Sequence, residues 1–157
     1  MEKALEFLKL FSIAEANALG KATNMAFGQV AQDKKVQQFI LRGKEMAHKY
    51  VDVFNSILLE GDISTVKTYD GEVTDSTEPP FSDRLMLFHT NLLITSGIGT
   101  YGMAMAKSNR KDLAVHYSKI LAEVSSYALD GAKLLIKNGW MEQPPMAADR
   151  DNLANKK

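Results

Sequence analysis

Apolar residues recur at helical spacing along most of the chain, and the pattern predicts four helices. In the first, Leu5, Leu8, Ser12, Glu15, Leu19, Ala22 and Ala26 follow alternating steps of three and four, with Phe7, Phe11, Ala14, Ala18 and Met25 beside them. This broad stripe predicts a helix from about Glu2 to Ala31 and holds one acidic residue, Glu15. Asp33 suits the cap of a second helix, whose apolar face carries Val36, Phe39, Ile40, Gly43, Ala47, Tyr50, Phe54 and Ile57, with Gly61 as its stop. The turn between the two is tight, so they are expected to lie antiparallel.

Residues 62–82 break the pattern. DISTVKTYDGEVTDSTEPPFS is rich in Thr, Ser, Asp, Gly and Pro and has no sustained period, apart from Val66 and Tyr69 as points that touch the core or form a short strand. The segment reads as a long crossover within one domain. It lets the third helix run parallel to the second, as in ferritin-like bundles.

The third helix, within FSDRLMLFHTNLLITSGIGTYGMAMAK (residues 81–107), carries no formal charge between Arg84 and Lys107. A helix apolar on nearly all sides is usually buried on nearly all sides, so it is expected at the centre of the bundle. Its glycines are expected to admit close neighbours. His89, Asn91, Thr95, Ser96 and Thr100 make it too polar for a lone membrane span. Asn109 with Asp112 resembles a cap for the fourth helix, which carries Leu113, Tyr117, Ile120, Leu121, Val124, Tyr127, Leu134 and Leu135. Gly139 ends it, Trp140 is expected to fold back as an anchor, and Pro144-Pro145 prevent continuation. The fold class is therefore all-α: a ferritin-like four-helix bundle over residues 1–143 as a single domain, then a frayed tail over 144–157. A shift of 78 positions pairs Phe39 with Tyr117, Glu45 with Glu123, Asp52 with Asp130 and Gly61 with Gly139, which two related hairpins or coincidence would both produce.

Charge and composition narrow the function classes. The chain has 19 acidic and 19 basic side chains and zero net charge, so it lacks the basic footprint of a nucleic-acid or anionic-membrane binder. Weak mutual repulsion suits self-association, as a homodimer or higher oligomer. With no cysteine, disulfides, zinc-thiolate sites and cysteine nucleophiles are excluded. The N-terminus alternates charged with apolar residues and does not resemble a signal peptide, so a cytoplasmic location is expected.

One pattern points to metal chemistry. Di-metal bundles draw one Glu from each of two helices and Glu-x-x-His from the other two, because residues three apart share a helix face. Glu45 and His48 match that spacing, Glu15 stands at a similar level on helix one, and Glu123 occupies helix four. These four are the candidate ligands for iron, manganese or zinc. Ser126 stands where the second histidine belongs, and Leu93 where the last carboxylate belongs, so the set is degenerate. The competing reading is a solvated helix face, because Glu45, His48, Asp52, His116, Glu123 and Asp130 fall on polar stripes. Under that reading no cofactor is expected. His89 reads as a hydrogen-bonded core histidine and His116 as a surface partner of Asp112. No catalytic triad or phosphate loop is present in the sequence pattern, and no catalytic residue is assigned. Tyr101, Met103 and Tyr127 are candidates to line a small apolar pocket.

Phe81-Ser82-Asp83 opening an apolar helix, Gly99 to Tyr101 within it, Ser108 to Asp112 at the turn, and Gly139-Trp140 followed by Pro144-Pro145 form a series. It resembles an uncharacterised family of ferritin-like four-helix proteins from endospore-forming bacilli, kin of the coat-F type and often labelled spore coat proteins. The similarity is clearest over residues 81–145. The resemblance implies a four-helix bundle, a sporulation role in the mother-cell cytoplasm or the spore coat, and other coat proteins as partners. It implies no established catalytic residues. The expected function is a non-catalytic structural or interaction protein that self-associates through a helix face, and the alternative is a metal-binding protein using Glu15, Glu45, His48 and Glu123.

Overall fold

A computed structural model describes residues 2–141 together with positions 148, 150, 153 and 155, with side chains described from Leu5 onward. Most of the expected tail, including Pro144-Pro145, lies outside the described residues. Four helices are present: α1 (Glu2–Val30), α2 (Lys34–Glu60), α3 (Asp83–Lys107) and α4 (Lys111–Lys137), with one 3-10 turn at Asp70–Glu72. They pair as two hairpins, α1 with α2 and α3 with α4. The expected all-α four-helix bundle with a long crossover is what the chain forms.

The capping chemistry sets these boundaries. Asp33 Oδ1 accepts hydrogen bonds from the Lys35 and Val36 amides at 2.7 and 3.0 Å, satisfying donors left open at the start of α2. The Asp83 carboxylate accepts from the Gln32 and Asp33 amides at 3.1 and 2.6 Å, which pins the start of α3 beside the α1–α2 turn. α3 therefore runs parallel to α2, and the crossover returns the chain along the length of the bundle. It follows α1 as it goes: Tyr69 donates to Glu15, Lys21 to Asp70, and Gln29 to the carbonyls of Thr74 and Ser76. Val66 is buried and tied through its backbone to the Asn55 side chain, with no strand.

Both hairpins end in the same way. At α4, Trp140 N donates to Leu135 O and Gly139 N to Ile136 O, with Gly139 at φ +67°, so the expected stop and the fold-back of Trp140 both hold. At α2, Ile63 N reaches Leu58 O and Asp62 N reaches Leu59 O, but the left-handed residue is Asp62 (φ 56°) and not Gly61. Gly61 is suited for a different reason, since a Cβ there would meet the edge of the Phe7 ring at 2.5 Å and the ring would have to shift.

The core has two parts. Toward one end, Leu10, Ala14, Phe54, Leu58, Tyr101, Leu113 and Tyr117 pack together; toward the other, Val36, Ile40, Met86, Leu87, Tyr127 and Leu135. Phe54 has no exposed surface, and burial of such a side chain contributes on the order of 1.5–3 kcal/mol. Phe39 stacks on Tyr127 at 4.3 Å, and the Tyr127 hydroxyl donates to Phe39 O at 2.7 Å, which joins α2 to α4.

Candidate interaction surface

The structure corrects the expected place of α3. Only Met86, Leu87, Thr90, Tyr101 and Ala104 of this helix are buried. Leu85, Phe88, Leu92 and Met103 are 50, 48, 58 and 60% exposed. α3 is therefore a flank of the bundle, and its freedom from charge reflects a bare apolar face. The glycines also differ from expectation. A Cβ at Gly99 or Gly102 would meet nothing within 4 Å, and one at Gly97 would make only ordinary contact with Tyr101. The glycines that do admit a close neighbour lie on other elements: Gly28 against Leu41, Gly43 under the Tyr127 hydroxyl, Gly61 against Phe7, and Gly131 against Asn91 and Phe39.

The bare face extends toward α1. The two helices touch sparsely, and a groove of about 310 Å³ between them is lined by Leu8, Ser12, Thr100 and Met103 among others. Farther along, a cleft of about 380 Å³ runs inward between the exposed rims Leu19 and Leu93 to reach Tyr50, Tyr101 and Tyr127. Small residues on the facing sides, Ala16 and Gly20 on α1 and Ser96 and Gly97 on α3, leave this space open. Of the expected pocket residues, Tyr101 and Tyr127 line the cleft and Met103 stands outside it on the bare face. Asn17 Nδ2 donates to the Tyr101 hydroxyl at 2.8 Å, and Thr90 donates to Asn24 at 3.3 Å deeper in. His89 is exposed, its ring edge-on to Phe27 at 5.8 Å, and is not the core histidine expected.

The four candidate metal ligands take separate partners. Glu15 accepts from the Tyr69 hydroxyl of the crossover. Glu45 pairs with Lys44 at 2.8 Å, and this ammonium holds its carboxyl below the usual range. His48 stands 3.9 Å from Asp52. Glu123 pairs with Lys49 at 2.8 Å across the α2–α4 contact, which likewise lowers its pKa. Among the described residues, no three His, Asp or Glu side chains gather as a cation shell. Asp112 is paired with Arg110 at 2.5 Å, not with His116, and Arg110, which precedes α4, makes no side-chain capping hydrogen bond. Sequence reasoning missed the buried Lys21, joined to Asp70 at 2.5 Å, because nothing in the crossover's composition announces a partner for it.

The buried phenols are the strongly shifted groups. Burial raises Tyr101 and Tyr117 to about 12. Burial and then the nearby Glu123 carboxylate push Tyr50 far up, and burial does the same to Tyr127 against the opposing pull of Arg42. These phenols stay neutral at ordinary pH. No described helix is long and apolar enough to cross a membrane.

A family model described as "Protein of unknown function (DUF3231)" matches residues 3–153. The chain belongs to that family. Its fold is similar to the crystal structure of a Bacillus halodurans protein, BH2358, described as a "putative spore coat protein": the TM-score is 0.80 at 14% identity, covering 92% of this chain and 94% of that one. At that identity the likeness speaks for the fold of this DUF3231 member. No curated protein matches the sequence.

Proposed function

We propose that this protein is a non-catalytic structural component that self-associates through the bare face of α3 and takes part in the spore coat. The observation that carries the reading is the uncharged apolar strip from Leu85 to Met103, on a helix whose other side is committed to the core. Monomeric proteins rarely expose contiguous apolar patches of more than a few hundred Å². A stable interface takes about 800 Å² from each partner. At 25 residues, α3 is about 37 Å long, and the exposed Leu5, Leu8 and Leu19 of α1 add to the apolar surface it offers. The coat assignment draws on the similarity to BH2358.

Sedimentation over a wide concentration range tests the association. The wild type should shift toward a dimer or larger species as concentration rises, and Leu92→Glu, which places a charge in the strip, should hold it monomeric. A wild type that stays monomeric at high concentration overturns the reading. Extraction of coat fractions from spores of the producing cell tests the location, and its absence from those fractions removes the coat assignment.

A further inference from the structure

Along the bare face of α3, the positions Leu85, Phe88, Leu92, Thr95, Gly99, Gly102 and Ala106 follow unbroken alternating steps of three and four. That is the seam of a two-helix heptad contact. Side-chain size along it is graded. The first three positions are bulky, the last three have one carbon or none, and Thr95 stands in the middle. Thr95 donates its hydroxyl to Asn91 O at 2.9 Å within its own helix, so it carries no unmet donor into a contact.

The small end has no use inside the chain. A glycine in a helix interior costs about 1 kcal/mol relative to alanine, and neither Gly99 nor Gly102 admits any neighbour within this bundle. The bulky end is equally unsatisfied, with Leu85, Phe88 and Leu92 about half exposed. The two ends are complementary in shape to each other, and one helix cannot bring its own ends together.

We propose that two copies of the chain pair through α3 in antiparallel orientation, so that Leu85, Phe88 and Leu92 of each copy fill the space above Gly99, Gly102 and Ala106 of the other. This deepens the self-association reading and rests on it. A parallel pair would set bulky against bulky and leave a void at the other end. The antiparallel pair is isologous and closes as a dimer under a two-fold axis near Thr95. The same register sets Arg84 of each copy near Lys107 of the other, like charges at both ends of an otherwise uncharged seam, so the association should tighten as ionic strength rises.

The test uses the absence of native cysteine. Leu85→Cys and Ala106→Cys variants are prepared separately and mixed, then treated with a short bifunctional thiol reagent. Residues 85 and 106 lie about 32 Å apart along one helix. The antiparallel pair therefore predicts crosslinked dimer from the mixture and none from either variant alone. A second variant, Gly99→Leu, gains helix propensity and meets open space in the monomer. It should raise the dimer dissociation constant roughly a hundredfold while the melting temperature of the dilute protein holds or rises. Leu85→Cys crosslinking to itself would show a parallel pair and overturn this inference while self-association stands. A dimer with no crosslink in any combination places the contact on another face and overturns it too. A wild type that never dimerises defeats both readings.

Discussion

At the scale of single residues, the ends of α2 and α4 show how one capping geometry is met by different chemistry. Gly139 adopts the left-handed conformation at no steric cost, whereas Asp62 adopts it with a Cβ. Asp62→Gly should therefore stabilise the fold by about 1 kcal/mol, read as a higher midpoint in urea unfolding. An unchanged or lower midpoint would mean that the aspartate stabilises the turn in a way the backbone does not reveal. Gly61 shows the limit of reading a glycine from sequence. It does mark the helix end, but the reason is the Phe7 ring above it, some fifty positions away in the chain.

At the scale of elements, all four helices were legible because the apolar period is a local signal, and the crossover because Pro, Gly and Asp interrupt that period. The burial of α3 was not legible. A strip of Leu, Phe and Met reads the same whether it faces a core or a missing neighbour, since composition records hydrophobicity and not what covers it. The candidate site fared similarly. Glu45 and His48 do share a face of α2, as their spacing requires, but that face looks to solvent, with Glu45 on Lys44 and His48 beside Asp52. Which carboxylate meets which cation depends on helix rotation, and sequence spacing within one helix does not fix rotation relative to its neighbours. The double variant Glu45→Ala, His48→Ala should shift the melting temperature by less than about 2 °C. A larger drop would show that these side chains hold something together that their exposed positions do not suggest.

At the scale of the whole molecule, the buried phenols set an alkaline limit. Tyr101 and Tyr117 are raised above their ordinary value of 10.0 to about 12 by burial, and Tyr50 and Tyr127 are also raised. A group whose folded pKa exceeds its unfolded one contributes stability in full below the unfolded value and loses it as pH climbs through the folded value. For Tyr101 the contribution is on the order of 3 kcal/mol, present below pH 10 and gone by about pH 12. A spectrophotometric titration should show the four buried tyrosines ionising in one cooperative step together with loss of helix, apart from the separate signal of Tyr69 in the crossover. Gradual ionisation of more than one tyrosine near pH 10 in a chain still helical would contradict this burial. The crossover has a consequence of a different kind, in the order of synthesis. Its anchors on Glu15, Lys21, Gln29 and Asn55 all lie on α1 and α2, and none needs α3 or α4. A ribosome working from the N-terminus can thus strap the first hairpin, with Lys21 paired to Asp70, before the second hairpin exists to dock on it.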